Sequence, residues 1–527
     1  AADLARLVDL LIGRLRAPLV IDSTNPDTVE RVLASIPGRT LINSINLEDG
    51  GTTAARVLGA ARRHGAAVIA LTIGPDGMAM TADDKLLTIR MLRDAGIPVP
   101  ETIETEVLAH DLAFAEVEGL REAGCVDGTV GIFESLMDSK TFFVTANTES
   151  VYAATWLDLQ GGPMVVESAP NTLGILDDFF FGHVTDMGNA GPDRGQCGKY
   201  LILPPDYEGP VPDGYFVARS TSYRNWGLLR ANTDIVGTGD KAMQFYRDNL
   251  KIYPLKSGPR KGRYIDCGHM PGNSLVPEDA SAFRWLHEIV SYEPADLFNK
   301  EQLGRLASLG IEKGKPFEPD ARMQGIFEQA AKQAVAMSRV ITFASRDPDE
   351  KLYEGMSWGT PFVGGSSEFE KNGYRNLEAR TLYHYNAIVI TPAMAAPMPE
   401  GRGSKYSSTY VDENGDYLDG SKTYKLRVPP NVPVREFWSI TVYDPATRSQ
   451  LQTSQPLPSI SSQQNPPANA DGSVDIYFAP EKPDGVAEEN WIQTVAGKGF
   501  FPFYRFYGPL KAFNDQTWKP VEIELVK

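Results

Sequence analysis

The stretch "YRNLEARTLYHY" brings Arg375, Glu378, Arg380, His384 and Tyr385 close together in the sequence. If the stretch is helical, spacings of three to five residues place these side chains near one face, where Glu378 can bridge the two arginines. The apolar sequence that follows indicates burial, so two cations share one obvious carboxylate. We therefore expect either a buried structural network or a site in which the surplus guanidinium meets an anionic ligand.

His384 is the preferred candidate for a general base, because the other histidines occur singly in loops or amphipathic helices. Tyr385 and Glu378 are the other candidate catalytic groups. The larger part of the chain contains no nucleophile elbow, HExxH motif, phosphate-binding loop or dinucleotide fingerprint. The sequence therefore assigns no reaction and leaves open whether the protein is an enzyme.

Two further clusters combine arginine with aromatic residues. They are Tyr223, Arg224, Trp226 and Arg230 in one stretch, and Arg505 and Tyr507 in "FYRFYGPL". Arginine among aromatic rings suits a small anionic or planar ligand, through paired hydrogen bonds and stacking. The same composition suits the interface of an oligomer. Both interpretations stay open, and we expect a homo-oligomer.

A fourth polar cluster lies in "MDSKTFFVTANTESVY", with Asp138, Lys140, Asn147 and Tyr152. Strand alternation would place Asp138 and Lys140 on one face, where a mutual ion pair is the structural interpretation. A charge inside an apolar strand is costly unless it is paired, so a ligand pocket is the alternative.

His183 and Asp186, in "FGHVTDMG", are the candidate metal ligands. A zinc site needs three or four ligands, and the sequence shows no third one beside them. The three cysteines lie far apart and form no CxxC pair. We therefore predict no metal site and no cofactor.

Composition narrows the class of partner. The chain has 527 residues and a formal net charge of -17, with no run of lysine or arginine that could neutralise a phosphate backbone. Its apolar stretches are too short or too interrupted to span a bilayer. We expect no nucleic-acid partner, no transmembrane segment and a small anionic or carboxylate-bearing ligand. The first residues do not have the pattern of an export signal.

The elements that must position these residues change along the chain. From residue 1 to about 100, the apolar runs "PLVIDS", "RTLINSI" and "AAVIALTIG" alternate with helical stretches, which predicts parallel βα units. From about residue 130, short alternating segments divided by Pro and Gly predict antiparallel sheets. A helical interval from about 278 to 345 separates two such β regions.

The motifs "IDST", "INSINLEDG" and "RRHGAAVIALTIGPDGMA" resemble the pterin-binding barrel of cobalamin-dependent methionine synthases. The resemblance implies that Asp22 and Asn43 occupy pterin-contacting positions, and Asp76, at the next strand end, is a third candidate. A complete barrel of this type takes about 250 residues. Because only three βα units are visible, we expect a half-barrel fragment with a vestigial site, and no methyl transfer.

Most of the remaining chain resembles bacterial proteins that pair two domains of unknown function, numbered 1254 and 1214. The motifs include "GIFESLMDSKTFFVTANTESVYAATW", "NGYRNLEARTLYHYNAIVITPAMA" and "NWIQTVAGKGFFPFYRFYGPL". Members of this family are often exported, so the localisation is left open. The two resemblances and the helical pattern together predict four parts: residues 1–100, a truncated pterin-binding-like βα segment; 101–277, a 1254-like domain; 278–345, a helical connector; and 346–527, a 1214-like β-sandwich of jelly-roll type.

Together these patterns predict a multidomain α+β protein. The favoured function is small-molecule binding or an uncharacterised enzymatic reaction, with hydrolysis as one example, in a pocket between the two β-rich domains. The first alternative is a non-catalytic, envelope-associated oligomer, in which the arginine and aromatic clusters form salt bridges or interfaces. The second alternative is folate-dependent methyl transfer by the N-terminal segment.

Overall fold

The computed structural model describes residues 20–23, 25–34, 40–45, 52–64, 66–70, 73–74, 77–78, 104–141, 143–268, 270, 272–397 and 399–526. The chain divides into two compact units, Ala1–Glu101 and Thr102–Lys527. Each unit is described by itself below. In the described ranges, no helix is both long and apolar enough to cross a membrane.

The first unit has the predicted alternation of strands and helices. In chain order its elements are β1 (Val20–Asp22), α1 (Pro26–Leu33), β2 (Leu41–Ile45), α2 (Thr52–His64), β3 (Ala67–Ala70), β4 (Ile73–Gly74) and β5 (Gly77–Met78). Strands β1, β2 and β3 form a parallel sheet in that order. Asn25 caps α1 by accepting a hydrogen bond from the Thr28 amide at 3.0 Å. The described strands do not close into a barrel.

The second unit begins with α3 (Glu104–Glu122) and then forms the first β region, residues 129–266. In chain order the strands are β6 (Thr129–Phe133), β7 (Ser150–Asp158), β8 (Met164–Glu167), β9 (Leu173–Asp178), β10 (His183–Gly188), β11 (Lys199–Leu203), β12 (Phe216–Arg219), β13 (Arg224–Asn232), β14 (Lys251–Pro254) and β15 (Arg263–Asp266). Helices α4 (Thr233–Val236) and α5 (Asp240–Asn249) follow β13. A six-stranded sheet has the order β10-β9-β13-β7-β6-β15, and a four-stranded sheet the order β12-β11-β8-β14. Most pairs are antiparallel, as the sequence predicts.

The helical region, residues 281–343, follows. It contains α6 (Ser281–Tyr292), α7 (Lys300–Ser308) and α8 (Ala321–Phe343). Asn299 and Gln302 form a reciprocal capping box at the start of α7. Phe283 of α6 stacks on Phe327 of α8 with ring centroids 4.3 Å apart, so the two helices share one apolar core.

A short connecting region links the helices to the second β region. It contains the two-stranded pair β16 (Glu370–Lys371) and β17 (Tyr374–Arg375), then α9 (Leu377–Asn386) and α10 (Pro392–Ala395). Asn376 caps α9, because its side chain accepts from the Ala379 amide at 3.1 Å. Residues 379–386 of α9 are all buried. This helix therefore lies in the interior of the second unit.

The second β region, residues 404–525, is a pair of sheets. In chain order its elements are β18 (Ser404–Ser408), β19 (Tyr424–Val428), β20 (Val434–Tyr443), β21 (Ser459–Ser461), β22 (Val474–Ala479), β23 (Trp491–Gln493), β24 (Phe501–Pro509), α11 (Lys511–Asn514) and β25 (Glu524–Leu525). The sheet orders are β18-β24-β20-β21 and β23-β22-β19-β25. Leu426 and Ile476 from one sheet and Ile440 and Tyr504 from the other belong to the same buried core. The predicted α+β class is confirmed, whereas the jelly-roll connectivity stays a prediction.

Candidate ligand-binding cleft

Two strand faces supply the polar wall of a cleft between the two β regions. On β13, Leu228 and Arg230 point to the same face because side chains two residues apart share a face of a strand. Arg230 lies opposite Tyr152 of β7 in the sheet register. On β24, the same alternation places Arg505 and Tyr507 on one face. Side chains from three distant strands, β7, β13 and β24, are thus positioned by two sheets.

The sheet around Arg505 surrounds its guanidinium with aromatic rings. In register, Arg505 lies opposite Tyr406 of β18 and Ser439 of β20. The guanidinium carbon is 5.4 Å from the ring centroids of Tyr406, Tyr443 and Phe503. These contacts hold the cation by cation–π attraction without neutralising it.

The inner cavity between these faces has a volume of about 80 Å³. Its walls come from the segment 143–147, from the two sheets and from the end of α9. The residues are Phe143, Val144, Thr145, Ala146, Asn147, Tyr152, Leu173, Ile175, Leu228, Arg230, Pro361, Tyr383, Ala387, Ile388, Val389, Met394, Tyr406, Phe503 and Arg505. Most are apolar, so the few polar groups among them are conspicuous.

Two hydrogen-bond donors in this wall have no partner among the described residues. Arg505 is 3% exposed; its Nη2 donates to the carbonyl of Thr145 at 2.8 Å, but its buried Nη1 makes no hydrogen bond. Asn147 is 2% exposed; its Oδ1 accepts from the amides of Glu149 and Ser150, while its buried Nδ2 is also unbonded. A buried donor left unsatisfied costs about 1–3 kcal/mol.

The cavity wall carries more positive than negative charge. Neither Arg230 nor Arg505 forms an ion pair with a carboxylate in the described part of the chain. Burial lowers the pKa of Arg505, but Tyr443, Tyr507 and the Glu149 carboxylate raise it above its ordinary value. Glu149 itself accepts a hydrogen bond from Tyr507 Oη at 3.0 Å. The pKa of Arg230 is likewise above its ordinary value, since nearby tyrosines outweigh the effect of burial, so both guanidinium groups stay charged.

An outer cleft of about 780 Å³ adjoins the inner cavity, since Leu173, Ile175, Arg230 and Met394 line both spaces. Its lining includes exposed arginines at positions 194, 402 and 435, with acidic residues at 186 and 436. Arg435 and Glu436 pair at 2.9 Å. The outer space is large enough for a small organic molecule, whereas the inner cavity admits only a small group.

The predicted cluster around α9 lies mostly outside this cleft. Arg375 is exposed and pairs with Glu368 at 3.0 Å, not with Glu378, which is half-buried in the first turn of α9. Arg380 is buried and donates to the Phe180 carbonyl at 3.3 Å. The expected bridge from Glu378 to Arg375 is therefore wrong, because Asn376 starts the helix after Arg375.

His384 and Tyr385, the preferred catalytic candidates, are both buried. The His384 ring stacks on Phe181 at 5.4 Å. Burial and the neighbouring Arg380 hold the pKa of His384 well below its ordinary value, so the imidazole is neutral. Tyr385 accepts a hydrogen bond from Arg339 Nε at 3.1 Å and lines a different pocket. Neither residue lines the inner cavity.

The cluster around Arg224 lies in the interior of the second unit. Arg224 is 2% exposed and donates from Nε to the buried carboxylate of Glu293 at 2.7 Å. Its guanidinium carbon lies 4.1 Å from the ring centroid of Phe179. Trp226 is fully buried and meets Phe143 edge to face at 5.9 Å. These contacts are those of a core ion pair.

The two remaining polar pairs lie in a turn and on a strand. Asp138 and Lys140 lie in a turn, where the Lys140 amide donates to Asp138 Oδ1 at 2.9 Å. The expected shared strand face is therefore wrong, because the aspartate side chain stabilises a turn instead. His183 and Asp186 stand 3.4 Å apart on β10. The described residues contain no group of three potential metal ligands.

The predicted pterin positions lie in the first unit. Asp22 and Asn43 are register neighbours on β1 and β2, so they occupy the same edge of the parallel sheet. Asp76 lies outside the described residues. The first two positions thus keep the spatial relation that the resemblance implies.

Sequence reasoning placed Arg230 in a different cluster and did not single out Thr145, Glu149 or Tyr406. The period-two pattern of β13 contained a signal for Arg230, since its face also carries Leu228. Nothing local connects Tyr406 with Arg505, because register between distant strands is set by the tertiary fold.

The geometry defines an α+β protein with two β regions and an arginine-lined cleft between them. Residues 128–254 match the family model described as Protein of unknown function (DUF1254), and residues 403–511 match Protein of unknown function (DUF1214). The predicted resemblance is confirmed by these matches. The first match covers strands of the Arg230 face and the second covers the Arg505 face.

The chain is also similar to parts of known proteins and to a solved structure. Over 130 residues, the chain is 32% identical to methionine synthase of Mycobacterium tuberculosis, covering 23% of this chain and 10% of that protein. Over 97 residues it is 35% identical to methionine synthase of Mycobacterium leprae, covering 18% and 8%. The chain thus spans a tenth or less of these curated relatives. The crystal structure of the VPA0106 protein from Vibrio parahaemolyticus aligns with a TM-score of 0.47 and 20% identity, covering 80% of this chain and 98% of that one.

Proposed function

We propose that this protein binds a small molecule with a carboxylate or similar anionic group, which occupies the inner cavity. The supporting observation is the pair of unbonded donors, Arg505 Nη1 and Asn147 Nδ2, in the wall of one cavity. They come from different β regions, so no single turn or cap accounts for both. A carboxylate oxygen would satisfy each donor and place a negative charge near two cations.

The sizes of the two spaces favour a ligand with two parts. The inner cavity of about 80 Å³ suits a carboxylate with few attached atoms. The remainder of the ligand would extend into the outer cleft of about 780 Å³, past Arg230 and Met394. Pockets for small organic molecules measure about 300–1,000 Å³, so the outer cleft is in the usual range.

The contacts in the cavity wall support the binding of an anion and do not define a reaction. Donors such as Arg505 and Asn147 can also stabilise an oxyanion, as in acyl hydrolysis. Among hydroxyl groups of the wall, however, Thr145 already donates to the Asn386 carbonyl at 2.6 Å. Hydrolysis therefore remains an alternative without an assigned nucleophile. The oligomeric envelope role and a homo-oligomer also stay predictions.

Titration calorimetry with malonate, succinate and inorganic phosphate tests the proposal. We expect a dicarboxylate to bind, and Arg505→Met to weaken binding by at least tenfold, about 1.4 kcal/mol. Arg375→Met is the matched control, because it removes an exposed arginine paired at the surface. Equal affinity of the wild type and Arg505→Met, or no binding of any of these anions to the wild type, would contradict the proposal.

A further inference from the structure

A second pocket, of about 250 Å³, lies in the helical region and shares no lining residue with the cleft. Its walls are the facing sides of α6 and α8, with Val276, Pro277 and Leu309 beside them. On α8 the lining positions include Ala330, Ala331 and Ala334. Their small side chains leave a space that a larger residue would fill, since protein interiors are otherwise closely packed.

The polar lining of this pocket consists of Arg448, Tyr385, Ser338 and the Glu278 carboxylate. Arg448 is 6% exposed, and its guanidinium carbon lies 4.2 Å from the ring centroid of Tyr385. Its Nε donates to the Tyr385 carbonyl at 2.9 Å, and its Nη1 donates to the carbonyl of Ala446. Its Nη2 makes no hydrogen bond with the described residues. An arginine that is 6% exposed thus closes an apolar pocket, and its Nη2 is not among the buried unsatisfied nitrogens of the described residues.

The charges at this end are not balanced. Arg339 Nη2 pairs with Glu278 at 2.9 Å, and Arg339 Nε donates to Tyr385 Oη at 3.1 Å. Glu278 is near Arg448 but forms its ion pair with Arg339, and no carboxylate of the described residues forms one with Arg448. Two arginines therefore share one acid. One positive charge is left for a ligand.

We propose that this pocket binds an apolar monocarboxylic acid, with its hydrocarbon part between α6 and α8 and its carboxylate on Arg448. The apolar walls supply the burial of the hydrocarbon, and the guanidinium supplies charge complementarity. This site is separate from the anion site of the proposed function. Each can be correct without the other.

Calorimetric titration of the full chain with decanoate, below the concentration at which it forms micelles, is the test. Decanol serves as the uncharged probe of the same length. We expect decanoate to bind the wild type at least tenfold more tightly than decanol. Equal binding of the two probes would overturn the role of Arg448, and no binding of decanoate would overturn the site.

Two pairs of variants locate the site. Ala334→Phe fills the pocket and should weaken decanoate binding at least tenfold, whereas Gln333→Phe adds the same bulk on the exposed side of α8 and should not. Unchanged binding by Ala334→Phe would overturn the proposal. Arg448→Met should abolish the preference for decanoate over decanol. If that variant does not fold, the Ala334→Phe comparison still decides. Arg505→Met should bind decanoate normally, and a loss there would place the acid in the cleft instead.

Discussion

Arg224 and Arg505 are both buried arginines on antiparallel strands, and they differ in what faces them. Arg224 pairs with the Glu293 carboxylate at 2.7 Å in the interior of the second unit. Arg505 meets a carbonyl and three aromatic rings beside a cavity, and has no ion pair among the described residues. Arg224 also has one unbonded buried nitrogen, Nη2. The unbonded donor is thus common to both, and the missing carboxylate together with the cavity distinguishes the proposed binding site from a core pair.

The largest change in the free energy of unfolding should come from breaking the ion pair of Arg224 with Glu293. Arg224→Met leaves the Glu293 carboxylate buried without its cation, so we expect the free energy of unfolding to fall by about 3–5 kcal/mol. Burial raises the pKa of Glu293 above its ordinary value, and the loss of Arg224 should raise it further. When the pKa of a carboxyl is higher in the folded protein than in the unfolded chain, the free energy of unfolding falls as pH rises above the pKa of the unfolded chain. The variant should therefore be less destabilised at pH 5 than at pH 8.

Urea unfolding followed by circular dichroism measures this effect. The double variant Arg224→Met, Glu293→Leu should recover most of the loss, because it removes both charges. A single variant as stable as the wild type at pH 8 would show that the pair is not a determinant of the fold. Arg224 would then not be an example of a buried arginine that stabilises the fold.

A smaller effect should come from supplying the carboxylate that the cavity lacks. Asn147→Asp keeps the oxygen that accepts from Glu149 and Ser150 and replaces the unbonded amide nitrogen by a second oxygen. We expect the free energy of unfolding to equal that of the wild type or to be higher by about 1 kcal/mol, because the new anion faces arginines that have no ion pair among the described residues. We also expect malonate binding to be lost, since the ligand would meet a like charge.

Thermal melts with and without malonate measure both quantities. Asn414→Asp, at an exposed turn of the second β region, is the matched control and should change neither. Destabilisation of Asn147→Asp by more than about 1 kcal/mol would mean that the wall is not electropositive. The difference between Arg224 and Arg505 would then not account for ligand binding.

The sequence predicted those parts of the fold in which a local pattern decides the structure. Continuous apolar runs that alternate with helical stretches predicted the parallel strands β1, β2 and β3, and short alternating segments predicted the antiparallel regions. Local hydrogen bonding explains the failures. The Asp138 side chain accepts from the Lys140 amide and makes a turn where alternation predicted a strand. Asn376 caps α9, so Arg375 precedes the helix in which it was placed.

The candidate site was predictable in its members but not in their partners. Arg505 and Tyr507 were predicted as an arginine–aromatic cluster that suits a ligand or an interface, and Asn147 and Tyr152 were candidates for a pocket. The contact of Arg505 with the Thr145 carbonyl joins positions 360 residues apart. Such a contact follows from the way the two β regions pack, which no local pattern encodes. The partner of Arg224 was missing for the same reason.

The smallest effect should come from removing the first unit. Arg224, Glu293 and every residue that lines the inner cavity belong to Thr102–Lys527, which has its own buried cores. A chain that begins at Thr102 should therefore fold, bind malonate within about twofold of the full chain, and show the same loss on Arg224→Met. Calorimetry and urea unfolding of both chains provide the measurement. An insoluble or molten fragment would show that the first unit stabilises the second. A folded fragment without malonate affinity would show that the cleft depends on residues before Thr102, and the contrast between the two arginines would no longer be a property of the second unit alone.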